Sequence, residues 1–131
     1  MVDLWPDKFG QFGGSPPILT LKEQASILSS KTGGRIVGEV SSGRRFISTD
    51  NGFAHLFFLV APFLDDYRYQ LFSVTHGVGL YPLKVEADVM DQVFACESLG
   101  EFQAALRTIF SSPQTIKVIQ SILAQTDAVR N

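Results

Sequence analysis

The sequence predicts an α+β domain with an N-terminal helix, an antiparallel meander sheet of four to five strands, and a C-terminal helical hairpin packed on the sheet. Apolar residues recur at helical spacing near both ends of the chain. Between them the pattern changes to alternating or continuous apolar runs separated by turn residues, as strands show. The connections between these runs are short, which makes neighbouring strands antiparallel.

Composition limits the classes of protein that the chain can belong to. Its 131 residues are typical of one domain, and a hydrophobic content of 45% excludes a disordered chain. A net charge of -2 gives no sign of a nucleic-acid partner, so none is expected. The single cysteine excludes an intramolecular disulfide. The N-terminus has no secretory signal, and the longest apolar run is about half of the roughly 20 residues that a membrane helix needs. We expect a cytoplasmic protein without a membrane segment or cofactor.

Residues 1–17 are predicted to form a Gly/Pro-rich aromatic arm that precedes a single α+β domain at residues 18–131. Glycine and proline at this density break helices and central strands. Four large apolar residues nevertheless lie in the arm: Leu4, Trp5, Phe9 and Phe12. Three interpretations stay open: the arm packs on the core of its own domain, it docks on another subunit or partner with Trp5 as an anchor, or it is disordered.

The first helix is expected to begin at Thr20, because Thr20 and Glu23 have the spacing of a capping box. Its apolar residues recur at helical spacing and should face the sheet. They are Leu21, Ala25 and Leu28. Gly33-Gly34 should end the helix.

A strand is predicted at residues 35–41, where the period changes to two. Residues 42–51 fit either a second short strand near 44–49 or a loop, with Asp50-Asn51-Gly52 as a hairpin turn. Arg44-Arg45-Phe46 is expected to be a solvated tip rather than an anion or base site, because no other basic residues support it.

Residues 53–61 are apolar on both faces, so this strand should be covered on both sides. With a loop at Pro62–Asp66, the next strand should pair in a simple register. That register places Leu59 opposite Tyr69, Phe57 opposite Leu71 and His55 opposite Ser73.

The last part of the chain is predicted to hold two further short strands and two helices. Pro82 should place the strand at 80–85 at a sheet edge or beside a bulge. Residues 93–96 fit one more short strand. Ser98 and Glu101 form a capping box for a helix at about 99–111, and Ser112-Pro113 begins the final helix.

Few residues offer chemistry. His55 is interpreted as a core histidine bonded to Ser73 or a backbone carbonyl, and His76 as an exposed turn residue. Their spacing matches no metal motif, so no metal site is expected. Cys96 precedes a helix N-terminus, where the pKa of a thiol can fall, but it is interpreted as a small buried thiol rather than a nucleophile. No catalytic motif is present, which leans against an enzyme.

We therefore expect a non-catalytic protein-binding or regulatory module that binds an unknown protein partner or a second copy of itself. Its expected contact residues are aromatic: Trp5, Tyr67, Tyr69 and Tyr81. The alternative is a small-ligand-binding or enzymatic domain with a pocket between sheet and helices, near His55, Tyr69 and Cys96.

Overall fold

The structure, a computed structural model, describes residues 1–43 and 52–131. Its helices are α1 (Pro17–Lys31), α2 (Leu99–Phe110) and α3 (Pro113–Arg130). Its strands are β1 (Val37–Gly43), β2 (Gly52–Ala61), β3 (Tyr67–Gly77), β4 (Leu83–Ala87) and β5 (Gln92–Cys96).

The five strands form one antiparallel sheet in the order β1-β2-β3-β4-β5, so each strand pairs with its neighbours in sequence. Helix α1 precedes this meander, and α2 and α3 follow it. The predicted α+β class and order of elements are confirmed. The expected strand near 44–49, the Arg44-Arg45-Phe46 tip and the first two residues of the Asp50-Asn51-Gly52 turn lie outside the described residues.

Helix α1 begins three residues earlier than predicted. Pro17 is its first residue and Pro16 its N-cap, with no side-chain cap. Thr20 is buried within the helix, so the predicted capping box with Glu23 is wrong. The fixed φ of proline suits the first helical position, and this signal overrides the box.

A β-bulge corrects the predicted register between β2 and β3. Leu59 pairs with Tyr69 as expected, but the register shifts between Phe57 and Phe58. Phe57 therefore pairs with Phe72 instead of Leu71, and His55 pairs with Val74 instead of Ser73. Because the bulge adds one residue to β3, two consecutive side chains, Leu71 and Phe72, are both buried.

The helices of the described residues cover one face of the sheet. The Phe110 ring of α2 lies 5.8 Å from Phe57 and 5.9 Å from Phe72, and side chains of α1 and α3 line a cavity above Phe57. On the opposite face, the Arg68 guanidinium lies 4.4 Å from the centre of the Phe58 ring and pairs with Glu39 at 2.6 Å. Side chains of neighbouring strands thus shield the second apolar side of β2.

Two predictions about the later elements have different outcomes. Strand β4 lies between β3 and β5 and begins directly after Pro82, so placing it at an edge or bulge was wrong. A proline just before a strand removes no ladder hydrogen bond. The Ser98 cap is confirmed, since its hydroxyl accepts from the Glu101 N–H at 3.2 Å. Ser112 caps α3 with Pro113 as its first residue.

Among residues 1–43 and 52–131, no helix combines the length and the hydropathy that crossing a membrane requires.

Candidate functional site

The end of the sheet where β2 turns into β3 presents two tyrosines. Pro62–Leu64 form one 3-10 turn, and Asp65 and Asp66 then adopt left-handed backbone conformations with φ of 57° and 54°. Aspartate tolerates this conformation better than most residues. The two aspartates reverse the chain, which brings Tyr67 and Tyr69 towards α3.

A cavity of about 710 Å³ lies between these tyrosines and α3. We call it the tyrosine cavity. Its lining is Leu64, Tyr67, Tyr69, Val89, Gln114, Lys117, Val118, Ser121, Ile122 and Gln125. The volume falls within the range of ligand-binding clefts, roughly 300–1,000 Å³.

The lining of the tyrosine cavity is apolar with a rim of hydrogen-bonding groups. Ile122 is buried at its base, while Tyr67 is 50% exposed. Besides the two tyrosine hydroxyls, the polar side chains of the described lining come from α3, and Lys117 is the one charged residue among them. An apolar base with a polar rim is the arrangement found at protein interfaces.

A second polar cluster lies at the opposite end of the sheet. Ser42 Oγ lies 2.6 Å from His55 Nδ1, and His55 Nε2 lies 2.9 Å from His76 Nε2. His76 Nδ1 in turn lies 2.8 Å from the carbonyl oxygen of Gly77. Side chains of β1, β2 and β3 thus form one hydrogen-bonded chain.

The hydrogen-bond partners indicate which ring nitrogens of His55 and His76 carry a proton. The Gly77 carbonyl can only accept, so His76 Nδ1 donates, and an imidazole that carries its proton on Nδ1 accepts at Nε2. His55 Nε2 must therefore donate to His76, and His55 Nδ1 accepts from the Ser42 hydroxyl. Burial, together with the neighbouring His76, lowers the pKa of His55 to about 4. His55 is consequently neutral at pH 7.

The Ser42–His55 contact resembles a nucleophile with its base, but its electrostatics do not support catalysis. An effective general base has a pKa near the working pH, and a pKa of about 4 makes His55 a weak base at neutral pH. The prediction of His76 as an exposed turn residue is wrong. His76 is half-buried and lies in β3, which extends to Gly77.

Cys96 is buried at the end of β5. Burial, and secondarily Glu101, raises the pKa of its thiol, so the helix N-terminus does not activate it. The neighbouring Tyr81 is half-buried and packs against the core, and burial raises the pKa of its phenol. Among the described residues, its hydroxyl has no hydrogen-bond partner.

The structure does not bring His55, Tyr69 and Cys96 into one pocket. Tyr69 lines the tyrosine cavity, and Cys96 lines a separate depression beside α2. His55 is four residues from the partner of Tyr69 along β2, a separation of roughly 13 Å at about 3.3 Å per residue. Of the predicted contact residues, Tyr67 and Tyr69 lie together, whereas Trp5 is in the exposed arm and Tyr81 is at the other end of the sheet.

Sequence reasoning missed Ser42 as the partner of His55. The register of β1 and β2 places the two residues directly opposite each other. Ser41-Ser42-Gly43 has turn composition, which conceals that β1 extends to Gly43. No local signal in the sequence identifies this pair.

No family model, curated protein or solved structure matches this chain. Within residues 1–43 and 52–131, no group of three or more His, Cys, Asp or Glu side chains is arranged to hold a metal ion.

Proposed function

We propose that this protein is a non-catalytic protein-binding or regulatory module and that the tyrosine cavity is its contact surface. The observation that carries this proposal is the pairing of Tyr67 and Tyr69 with an apolar base and a polar rim. Tyrosine is favoured at interfaces because it offers a large apolar area and one polar group at low entropic cost. The proposal keeps the cytoplasmic location expected from the sequence.

The lining chemistry defines the kind of partner. The apolar base, with Val118 and Ile122, fits aliphatic or aromatic side chains of a partner segment. The rim offers the Lys117 ammonium and two amide side chains as donors, and the lining contains no carboxylate. A segment with apolar anchors and exposed carbonyl or carboxylate oxygens therefore complements the cavity.

Selection from a displayed peptide library tests this surface. We expect the selected peptides to carry apolar anchors and to lose at least about tenfold in affinity when Val118→Lys places a charge in the cavity. Val93→Lys is the matched control, since Val93 is 59% exposed on β5 and lies outside the cavity lining. Equal binding by the wild type and Val118→Lys would contradict the choice of surface.

Affinity capture from the native organism gives the physiological partner. Its binding should be lost in Tyr69→Ala and Val118→Lys and kept in Val93→Lys. Capture that survives in both cavity variants would remove the support for this site.

The volume of the cavity also favours one alternative, the binding of a small ligand. About 710 Å³ would accommodate a metabolite between Tyr69 and α3. Of the three residues predicted for such a pocket, only Tyr69 lines this cavity. A ligand that prefers the native state must raise the melting temperature. A metabolite screen should therefore give a thermal shift that Val118→Lys removes, and a screen without any shift would count against this alternative.

A further inference from the structure

The N-terminal arm exposes an unusual amount of apolar surface. Trp5 is 73% exposed, Phe9 78% and Phe12 68%. Trp5 packs against Phe9 with ring centres 5.9 Å apart, while the chain at Gly14 lies beside Phe12 and Leu80. Of the three interpretations of the arm, packing on the core of its own domain does not fit these exposed fractions. Apolar side chains clustered in one exposed segment are typical of an interaction element.

An apolar groove, which suits the apolar side chains of the arm, lies between α1 and α3 on the face of the sheet that the helices cover. We call it the α1–α3 groove, and it encloses about 300 Å³. Its lining includes Ile27, Leu28 and Lys31 of α1, Phe57 of β2, and Ile116 and Ile119 of α3. The walls are open to solvent, since Ile27 is 45% exposed and Ile116 41%. The α1–α3 groove and the tyrosine cavity share no lining residue.

We propose that two copies of this chain associate by exchanging their arms, with Trp5 of each copy anchored in the α1–α3 groove of the other. The chain carries both an exposed aromatic segment and an apolar groove that its own arm leaves open. Reciprocal exchange satisfies both features twice and closes with two-fold symmetry, the commonest arrangement of homo-oligomers.

The area that arm exchange would bury is in the range of small specific interfaces. An aromatic side chain buries roughly 150–250 Å², so three rings in each of two arms bury about 900–1,500 Å². The groove surfaces that they cover add to this value. The resulting total is comparable to the roughly 1,200 Å² at which specific interfaces begin.

The charged residues of the arm and of the α1–α3 groove also favour the arm as the occupant of the groove. The two charged side chains nearest to Trp5 in the sequence are Asp3 and Asp7, and the basic residue Lys8 lies one position further along the arm. Among the described residues that line the α1–α3 groove, Lys31 is the one charged residue. An arm docked through Trp5 therefore brings carboxylates towards a cation.

Trp5 is the only tryptophan, so its fluorescence reports directly on the arm. With increasing protein concentration we expect the emission maximum to shift from that of a solvated indole to that of a buried one. The shift should coincide with a doubling of the mass in analytical ultracentrifugation. Ile116→Lys should weaken association at least about tenfold, because the ammonium group would have to lose its water when the arm fills the groove. Val129→Lys is the matched control on α3, since Val129 is 64% exposed and outside the groove lining.

Complementation distinguishes arm exchange from other modes of association. Trp5→Ala removes the anchor of the arm, and Ile116→Lys blocks the groove. Each variant alone should be monomeric at concentrations where the wild type is dimeric. In a mixture, the intact arm of the Ile116→Lys chain can enter the intact groove of the Trp5→Ala chain, so a heterodimer should form.

Three results would overturn the proposal. A monomer with solvated Trp5 at every concentration would show that the copies do not associate. A monomer with buried Trp5 would show that the arm docks on its own chain. A dimer that persists in Ile116→Lys would exclude this groove. None of these results depends on the tyrosine cavity, whose test uses Val118→Lys and a different ligand.

Discussion

His55 Nε2 lies 2.9 Å from His76 Nε2, and the other ring nitrogen of each imidazole contacts an oxygen, Ser42 Oγ for His55 and the Gly77 carbonyl for His76. One neutral arrangement of protons satisfies all three hydrogen bonds. Together with Ser42, the pair therefore links β1, β2 and β3 through polar side chains. It also makes the protein sensitive to acid, because a proton added to the pair disturbs this arrangement.

The first prediction concerns stability at low pH. Burial lowers the pKa of His55 from 6.5 to about 4, so between these values the unfolded chain binds a proton that the native state does not. The stabilisation is present above about pH 6.5 and is lost as the pH falls towards 4. At about 1.4 kcal/mol per pKa unit, it amounts to roughly 3 kcal/mol. Urea unfolding from pH 4 to 8 measures this effect. The free energy of unfolding of His55→Gln should depend less on pH than that of the wild type. An unchanged dependence in this variant would show that groups other than His55 cause it.

The second prediction concerns the contact between α1 and β1. A Cβ atom at Gly38 would lie 2.5 Å from the Cα atom of Ala25, where the helix backbone cannot easily move. Gly38→Ala should therefore lower the free energy of unfolding by about 1–3 kcal/mol. Gly43→Ala in the same strand is the control, since among the described residues no atom beyond its chain neighbours lies within 4 Å of the added methyl group. Similar stabilities of the two variants in urea unfolding would contradict this close packing.

The third prediction compares the two helix caps. Ser112 is buried, and its hydroxyl accepts from the Thr115 N–H at 3.2 Å and donates to Thr115 Oγ1 at 3.0 Å. Ser98 is exposed, and its hydroxyl accepts from Glu101 N–H at 3.2 Å. Ser112→Ala should cost about 2 kcal/mol and Ser98→Ala about 1 kcal/mol, because water can replace only the exposed cap. A larger loss of stability in Ser98→Ala than in Ser112→Ala, measured by thermal or urea unfolding, would show that burial of the cap does not determine how much it contributes.

The fourth prediction separates two roles of Arg68. Its ion pair with Glu39 is exposed, with side chains 43% and 44% accessible, and such pairs contribute about 0–1 kcal/mol. Glu39→Gln should therefore have little effect on stability. Arg68→Ala also removes the cover of the Phe58 ring and should cost more, by about 1 kcal/mol. If both variants lower the free energy of unfolding equally in urea, the contact of Arg68 with the Phe58 ring contributes nothing to stability.

Much of the fold could be predicted from local patterns. The apolar spacing around Leu106, the Ser98 cap and the Gly33-Gly34 stop each act within a few residues, and the structure contains all three features. Less of the candidate site could be predicted. The sequence predicts Tyr67 and Tyr69 as contact residues, but the wall that α3 supplies through Val118 depends on packing between distant elements.

The bulge near Phe57 shows why register could not be predicted. A simple hairpin and a bulged one have the same composition, and only packing selects between them. The structure buries both Leu71 and Phe72, which a regular alternation would place on opposite faces. The bulge also gives His55 and His76 their relative positions across β2 and β3.

By itself the sequence determined the class of the fold, the order of its elements and the apolar character of β2, because helix periodicity, caps and turns are local properties of a chain. Only the tertiary structure decided the register of β2, the Ser42–His55–His76 chain and the two apolar surfaces, the tyrosine cavity and the α1–α3 groove. These features join residues from separate elements, and their energies depend on which side chains meet when the sheet and helices pack.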